Sequence, residues 1–516
     1  MQLVAYGAQD VYLTGNPQIT FWKVVYRRHT NFAVESIEQV FNGSGDFGKK
    51  VVCQIQRNGD LISKMYLRVT LPALATGVCW TPKVGHAMIK TVELNIGGTT
   101  IDKHYGDWMN VWYELARKFA HDRGYDEMIG NTAALTVHGS GTPQSTLYVP
   151  LYFFCCRNDG LALPLIATQY HDTRVEIEFQ PLQQLLCGKY STSVATTVPA
   201  APSGSTNAMG TCSLFVDYVY LDSEERKKFA QASHEYLIEQ LQFTGAESVA
   251  AAGSTSNSKF RLNFNHPCKA LYWNLQTDKW TTGKSYLAFN PKSWEDTKIR
   301  ATKRAVLSFG TMNNNGIATA QSNILPALAT AIAAAKAVWM DVSGHSYLSS
   351  SHDIDAVTIL GDLLPDELVS TSVDGLVLTG YNTRGTGDGA ADHDVVVRQW
   401  DNYGLNLNRS GNPVSAVLLQ LNGQDRFSKR EGAYFNYVQP WQCHSNTPAD
   451  GINMYSFALN PEEHQPSGTC NMSRIDNATL NLDFVANIAT SKCNIYATNY
   501  NVLRIMSGMA GLAYSN

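Results

Sequence analysis

The chain has 516 residues, with 40 Lys+Arg against 44 Asp+Glu, a formal net charge of −4 and only 16% charged residues. That charge content is well below the roughly 25% of an ordinary soluble protein, so much of the surface must be Ser, Thr, Asn, Gly and Tyr, which suits extensive protein–protein contact. The same figures exclude a disordered chain, a coiled coil and a collagen, and a near-neutral balance argues against a dedicated nucleic-acid binder.

The start, Met1-Gln-Leu-Val-Ala-Tyr-Gly7, lacks the basic and apolar regions of a secretory leader. Residues 1–24 carry Tyr12, Phe21, Trp22 and the turn-prone Gly15-Asn-Pro17. They read as an arm, which either anchors on a surface or adds an edge strand to the domain that follows. Strands are then expected at Lys64–Leu71, Thr91–Ile96, Arg174–Phe179 and Leu214–Tyr220, where β-formers recur or alternate with polar residues before Gly, Pro, Asp or Ser. A helix is expected from Asp107, because Trp108, Val111, Trp112, Leu115 and Phe119 recur at three- and four-residue spacing. Asp222-Ser-Glu-Glu225 reads as the capped start of a second helix that carries Phe229, His234, Tyr236, Leu237 and Leu241 and connects two domains over 223–240. Further strands are expected at Lys259–Phe264, Ala270–Leu275, Ala416–Leu421 and Thr479–Phe484. Between them, a Gly/Ser/Ala/Thr-rich stretch at about 300–400 reads as a surface insertion of exposed loops. Its most apolar part, Ile324 to Met340, is broken by Lys336 and is too short and weakly hydrophobic to span a bilayer. A soluble protein made in the cytosol is expected.

The chain contains a duplication. Thr91-Val-Glu-Leu-Asn-Ile-Gly-Gly98, then Ile101, Gly106, Trp108 and Asn110, lies on Ala416-Val-Leu-Leu-Gln-Leu-Asn-Gly423, then Phe427, Gly432, Tyr434 and Asn436. The offset is 325 residues, becoming 326 after one insertion. Asp172 with Val175, Ile177 and Phe179 resembles Asp476 with Leu480, Leu482 and Phe484, and each copy ends in an aromatic β run, Leu214–Tyr220 and Ile495–Val502. Three blocks in the same order point to two copies of one antiparallel β-sandwich, at 25–222 and 241–516.

Residues for catalysis are not evident. No phosphate-binding loop or dinucleotide fingerprint is present, since Arg384-Gly-Thr-Gly-Asp-Gly389 follows no clear strand and opens no helix. His-x-His, His-Glu-x-x-His and Cys-x-x-Cys spacings are missing, and the ten cysteines read as buried thiols in a reducing compartment. His171-Asp172 has the composition of a base and its orienting carboxylate, but no Gly-x-Ser-x-Gly elbow supplies a nucleophile, so a structural histidine is favoured. Glu224-Glu-Arg-Lys-Lys228 reads as a solvated first helical turn. Asn42, Asn408, Asn471 and Asn477 match the glycosylation acceptor pattern by chance. No catalytic, cofactor-binding or metal-ligating residue is assigned.

Several longer motifs resemble the double jelly-roll major capsid proteins of nucleocytoplasmic large DNA viruses, the group of iridoviruses, chlorella viruses and giant amoebal viruses. They are Ile452-Asn-Met-Tyr-Ser-Phe-Ala-Leu459, Gln465-Pro-Ser-Gly-Thr469 and Ser473-Arg-Ile-Asp476; Tyr6-Gly-Ala-Gln-Asp10 with Thr20-Phe-Trp-Lys23; Val149-Pro-Leu151 with Leu163-Pro-Leu-Ile166; His234-Glu-Tyr-Leu-Ile238; and Asn499 to Gly508. The resemblance implies an all-β fold of two tandem eight-stranded antiparallel jelly rolls with a few short helices. It implies a structural, non-enzymatic role as a homotrimer, a pseudo-hexagonal capsomer that tiles an icosahedral shell. The implied partners are neighbouring capsomers and minor capsid and penton proteins, with an inner viral membrane nearby but not entered, and neither nucleic acid nor a small molecule bound. The arm at 1–24 would lie at the inner face, and the implied location is the virion capsid, assembled in the host cytoplasm. Two other readings of a sandwich stay open. One is a sugar-binding protein using Trp400 and Tyr403, and the other is a jelly-roll glycosidase with two facing carboxylates.

Overall fold

The computed structural model describes residues 7–514, apart from 23, 25, 76–77, 118–120, 137–141, 189–207, 487 and 489 and most of 278–411, where Leu287, Phe289 and six strand segments are described. The sandwich strands of its first half are β1 (Phe32–Val40), β2 (Lys50–Gln54), β3 (Leu61–Leu71), β4 (Ile89–Ile96), β5 (Thr99–Tyr105), β6 (Ser145–Pro150), β7 (Thr173–Phe179) and β8 (Cys212–Leu221), and the short strands Val78–Trp80 and Leu186–Gly188 pair separately. The sandwich strands form two antiparallel sheets, β1-β8-β3-β6 and β2-β7-β4-β5, with Leu163–Pro164 pairing beside β3. Strands that follow one another in the chain repeatedly cross from one sheet to the other, which is the jelly-roll arrangement.

The same plan is built again by β9 (His234–Phe243), β10 (Ser256–Arg261), β11 (Pro267–Thr277), β12 (Val414–Leu421), β13 (Gln424–Asp425), β14 (Ile452–Ser456), β15 (Ala478–Phe484) and β16 (Ser491–Met506). The sheets are β9-β16-β11-β14 and β10-β15-β12-β13, and Cys470–Asn471 lies beside β11 as Leu163–Pro164 lies beside β3. A last strand, β17 (Met509–Leu512), folds back on the end of β16. The repeated blocks of the sequence therefore occupy equivalent strands, β4 with β12 and β7 with β15.

Alternation explains the strands. In β7, Thr173, Val175, Ile177 and Phe179 are buried, whereas Arg174, Glu176 and Glu178 point outward. The outward residues meet cross-strand partners, Lys50 to Glu176 at 2.7 Å and Lys90 to Glu178 at 2.6 Å, so this face is solvated and charged. The inward residues join Val51, Leu67, Leu94 and Val216 in the core of the first roll. The second roll is filled separately by Leu271, Trp273, Val417, Leu480 and Leu482, among others. All nine cysteines whose side chains are described are free thiols.

Several expectations need correction. The connecting helix is α2 (Ser223–Gln231), not 223–240, because His234–Phe243 pairs residue for residue with β16, from His234 opposite Ile505 to Phe243 opposite Tyr496. Ten residues of ladder outweigh a weakly helical spacing, a tertiary override of local preference. The second roll thus begins at His234 rather than 241. Asp222 precedes α2 but makes no side-chain capping bond. Lys259–Phe264 leaves the strand after Arg261. The insertion at 300–400 is more than loops: Arg304–Met312, Val338–Asp341, Ser346–Leu348, Leu368–Val373, Leu376–Thr383 and Ala391–Arg398 pair into a six-stranded antiparallel sheet. Within the arm, Val11–Thr14 makes one helical turn, and among the described residues of 7–31 only an isolated bridge at Thr20 is extended pairing. Phe119, Arg384–Gly389, Trp400, Tyr403 and Asn408 lie outside the described residues.

Candidate assembly surfaces

The surface with the most chemistry is the seam between the two rolls. It is organised by α1 (Gly106–Ala116), the expected helix, which leaves the end of β5. A side chain at Gly106 would place its Cβ 2.2 Å from the His86 carbonyl oxygen and 2.3 Å from that of Ile89, so only glycine lets the helix start there. The apolar face read from the sequence does not cover its own roll. Trp108, Val111, Trp112 and Leu115 pack on the outward face of the β9-β16-β11-β14 sheet, against Ala270, Tyr272, Ile452, Met454 and Tyr496. The Trp108 ring lies 5.0 Å from that of Tyr272 and 5.4 Å from that of Tyr496. Burying such rings contributes roughly 1.5–3 kcal/mol each, so the rolls are fixed to one another rather than tethered.

Polar groups finish the seam. Asp107 accepts hydrogen bonds from the Tyr496 hydroxyl and from Asn494 Nδ2, the latter at 3.2 Å. Burial pushes its carboxyl pKa up from the ordinary range, against those bonds. Gln240 donates to the Ile101 carbonyl, and the Leu241 N–H donates to Asp102 at 3.1 Å. Asn446 donates its N–H to the Leu115 carbonyl at 3.1 Å. Glu239 receives Arg157 at 2.6 Å and Lys269 at 2.8 Å, and His464 lies 3.5 Å away. Arg157 also stacks on the Trp112 ring at 4.1 Å. Burial alone would raise the Glu239 pKa, but Arg157, His464 and Lys269 outweigh it and hold the carboxyl down at about 2. None of these seam contacts was anticipated from the sequence. The available signal was Lys269 standing next to the apolar run Ala270–Trp273, and for Glu239, one of several polar residues in its strand, there was none.

The residues weighed for catalysis are placed differently. His171 Nδ1 lies 2.9 Å from the Ala510 carbonyl and 3.1 Å from the Ala510 amide nitrogen, so the ring docks β17 against the first roll. Asp172 instead faces Arg174 at 3.7 Å, and the pair never forms a base and its orienter. In the charged run at the start of α2, Arg226 reaches back to Asp60 at 3.0 Å. Asn471 caps the turn that follows it by accepting from the Ser473 N–H.

Two small cavities open near the seam. One of about 120 Å³ is bounded by Arg157, Glu239, Glu462 and His464, and one of about 180 Å³ by Trp112, Tyr113, Tyr125 and Tyr152. Both are smaller than the roughly 300 Å³ at which small-molecule sites begin. In the first, Glu239 is already committed to Arg157 and Lys269, and Glu462 to His444 at 2.8 Å. Among the described residues, no three His, Cys, Asp or Glu side chains are grouped to hold a metal ion.

Two tandem jelly rolls with repeated topology and a fixed seam define the class of double jelly-roll capsid proteins. Two family models match, "Major capsid protein N-terminus" over residues 20–222 and "Large eukaryotic DNA virus major capsid protein" over residues 225–511. The major capsid protein of Phaeocystis pouchetii virus is 45% identical, over 100% of this chain and 99% of the relative. The quasi-atomic model of the PBCV-1 virus capsid contains a chain 34% identical, with a TM-score of 0.65 over 96% of this chain and 100% of that one. The Faustovirus major capsid protein shares the fold, with a TM-score of 0.62 at 11% identity over 97% of this chain and 94% of that one. The chain belongs to the major capsid protein family of large eukaryotic DNA viruses. Its role is structural, as a component of the virion capsid, and not enzymatic.

Proposed function

We propose that the chain self-associates as a homotrimer and that the trimer is a pseudo-hexagonal capsomer tiling an icosahedral shell. The observation that carries this reading is the repeated topology, β1-β8-β3-β6 with β2-β7-β4-β5, then β9-β16-β11-β14 with β10-β15-β12-β13. Cyclic assembly of three identical chains gives only three-fold symmetry. Two equivalent rolls per chain present six similar wedges, which is what a hexagonal lattice accepts. The chain's likeness to a protein found in the PBCV-1 virus capsid supports the same reading.

In this arrangement residues 1–24 form an arm, 25–222 and 234–516 are the two rolls, and the sheet-forming insertion decorates the second. The arm, with Tyr12, Phe21 and Trp22 each more than 85% exposed, contacts minor capsid proteins at the inner face of the shell. Neighbouring capsomers and penton proteins complete the partners. The inner membrane lies nearby but is not entered. No catalytic, cofactor or metal residue and no nucleic-acid or small-molecule site takes part, and assembly proceeds in the host cytoplasm. The test is the solution mass of the full chain by size exclusion with light scattering. A species of about 170 kDa, three times 56.8 kDa, that persists on dilution is expected, and a monomer at every concentration overturns the reading.

A further inference from the structure

A buried polar cluster lies on the face of α1 that points away from the seam. Asn110 and Glu114 stand one turn apart there, and both meet the chain that precedes β4. In that chain Lys83 occupies the left-handed backbone region, at φ +56°, and its carbonyl accepts from the N–H groups of His86 and Ala87 at 3.0 and 3.1 Å. Such a backbone is costly for any residue but glycine and persists only where its surroundings hold it. The Lys83 Nζ donates to Asn110 Oδ1 at 3.1 Å and pairs with Glu114 Oε1. Lys83, Asn110 and Glu114 are 6%, 0% and 6% exposed.

An ion pair accounts for Lys83 and Glu114 but not for Asn110. Its amide oxygen faces the ammonium, and its Nδ2 is buried with no hydrogen-bond partner among the described residues. The second roll supplies the contrast. Gly432 begins its helical segment, Tyr434–Val438 and then Gln439–Cys443, as Gly106 begins α1, and Asn436 stands where Asn110 stands. Asn436 Oδ1 accepts from the Gly451 N–H at 2.9 Å, and its Nδ2 donates to the Ala449 carbonyl at 3.4 Å. Both ends of that amide are satisfied by backbone, and Pro440 stands at the position of Glu114. One asparagine ties backbone together, whereas the other holds its amide against an amine and a carboxylate with its nitrogen unpartnered.

We propose that Lys83 and Asn110 join in an intramolecular isopeptide bond, with Glu114 as the proton acceptor. A C=O bond is about 1.23 Å long, so Asn110 Cγ lies within about 4.3 Å of the Lys83 Nζ, and rotation of the amide brings it into attacking range. Glu114 takes a proton from the Lys83 ammonium, which frees the nitrogen lone pair. The amine attacks Asn110 Cγ and the Cγ–Nζ bond forms, while Glu114 passes its proton to Nδ2. The Cγ–Nδ2 bond then breaks, its electron pair leaves with the nitrogen as ammonia, and Glu114 takes the surplus proton from Nζ. Lys83 and Asn110 end as a secondary amide and Glu114 as a neutral carboxyl, with no oxidant or co-reactant consumed. His86, also beside Lys83, does not compete for the proton. Its Nε2 is bonded to the Tyr125 hydroxyl at 2.8 Å, and burial together with the Lys83 charge holds its pKa down at about 3. Exclusion of water strips the ammonium of hydration and protects the reacting amide from hydrolysis. The bond links positions 27 residues apart and staples α1, the helix that makes the seam, to the chain before β4.

The test is intact-mass spectrometry of the purified, folded full chain, followed by digestion and fragmentation. Wild type is expected to weigh one ammonia less than its sequence, about 17 Da, and to yield a branched peptide in which Lys83 is joined to Asn110. Two variants, each checked for folding by circular dichroism, assign the roles. Glu114→Gln removes the proton acceptor, and Lys83→Arg keeps the positive charge without a nucleophilic amine. Both are expected at full sequence mass, with residues 83 and 110 in separate peptides. Wild type at full mass overturns the inference whether or not either variant folds. So does an ammonia loss that maps elsewhere, such as to a succinimide at Asn422-Gly423. A branched peptide that persists in Glu114→Gln overturns the role given to Glu114.

Discussion

The two rolls share their strand order, their flanking short strands and their glycine-started helices, yet they differ wherever the chain is free of the sandwich. The link from β3 to β4 in the first roll spans residues 72–88, whereas the equivalent link from β11 to β12 spans 278–413 and holds a six-stranded sheet of its own. β5 has seven residues and its counterpart β13 only two. Packing two sheets face to face constrains inward side chains and strand order, but a connection at one end costs only slowly more as it lengthens. The contrast in cover teaches more. The outward face of the β9-β16-β11-β14 sheet is buried by α1, whereas on the outward face of the β1-β8-β3-β6 sheet Val34, Val40 and Tyr148 are exposed and Arg68 pairs with Glu38.

The largest expected effect comes from the covered side. Replacing Glu239 by Gln leaves Arg157 and Lys269 in the seam without their shared carboxylate and should cost about 3–5 kcal/mol in urea unfolding followed by tryptophan fluorescence. The same group predicts an acid response. Its pKa in the folded chain, about 2, lies below the ordinary 4.5, so its stabilisation is fully present above pH 4.5 and is lost as pH falls from 4.5 toward 2. Wild type should lose stability faster than Glu239→Gln across that window; parallel curves would show that Glu239 is not the group responsible.

Next, Leu115 of α1 and Trp441 of the second roll's helical segment should separate sharply in urea unfolding. Leu115→Ala removes a fully buried side chain and should cost about 2–5 kcal/mol, whereas Trp441→Ala should stay within about 0.5 kcal/mol. Equal losses at both positions would break the comparison of covered and open faces. The paired glycines should behave alike instead. Gly106→Ala and Gly432→Ala each drive a methyl into backbone carbonyls and should destabilise by about 1–3 kcal/mol or more, each exposing its own roll to limited proteolysis first. The smallest effect is expected at Asp222→Ala, which should change stability by only a few tenths of a kcal/mol, because no capping bond is lost; a full kcal/mol would show that Asp222 caps α2 in solution.

Strand identity was readable where one face of a strand is buried and the other wet. Arg174–Phe179 and Thr479–Phe484 alternate, Ala416–Leu421 is a mostly apolar run, and each lies within a strand. It was not readable at His234–Phe243, whose partners on both faces arrive from distant parts of the chain, so that Glu239 and Gln240 are both buried beside Ile238. α1 was legible as a helix with an apolar face, but not what that face would cover. His171 read as structural from its setting, yet its partner Ala510 lies 339 residues away.

What the sequence by itself determined is local and repeated. Periodicity selected strands, paired glycines marked where each roll turns into its helix, and the duplication set two equivalent sandwiches, since the same pattern of inward residues folds the same way twice. Only the tertiary structure decided which outward faces meet. Burial of Trp108 and Leu115 against Tyr272 and Tyr496, and pairing of Arg157 with Glu239, join residues far apart in the chain, and no local pattern encodes a contact whose energy exists only once both surfaces have left water.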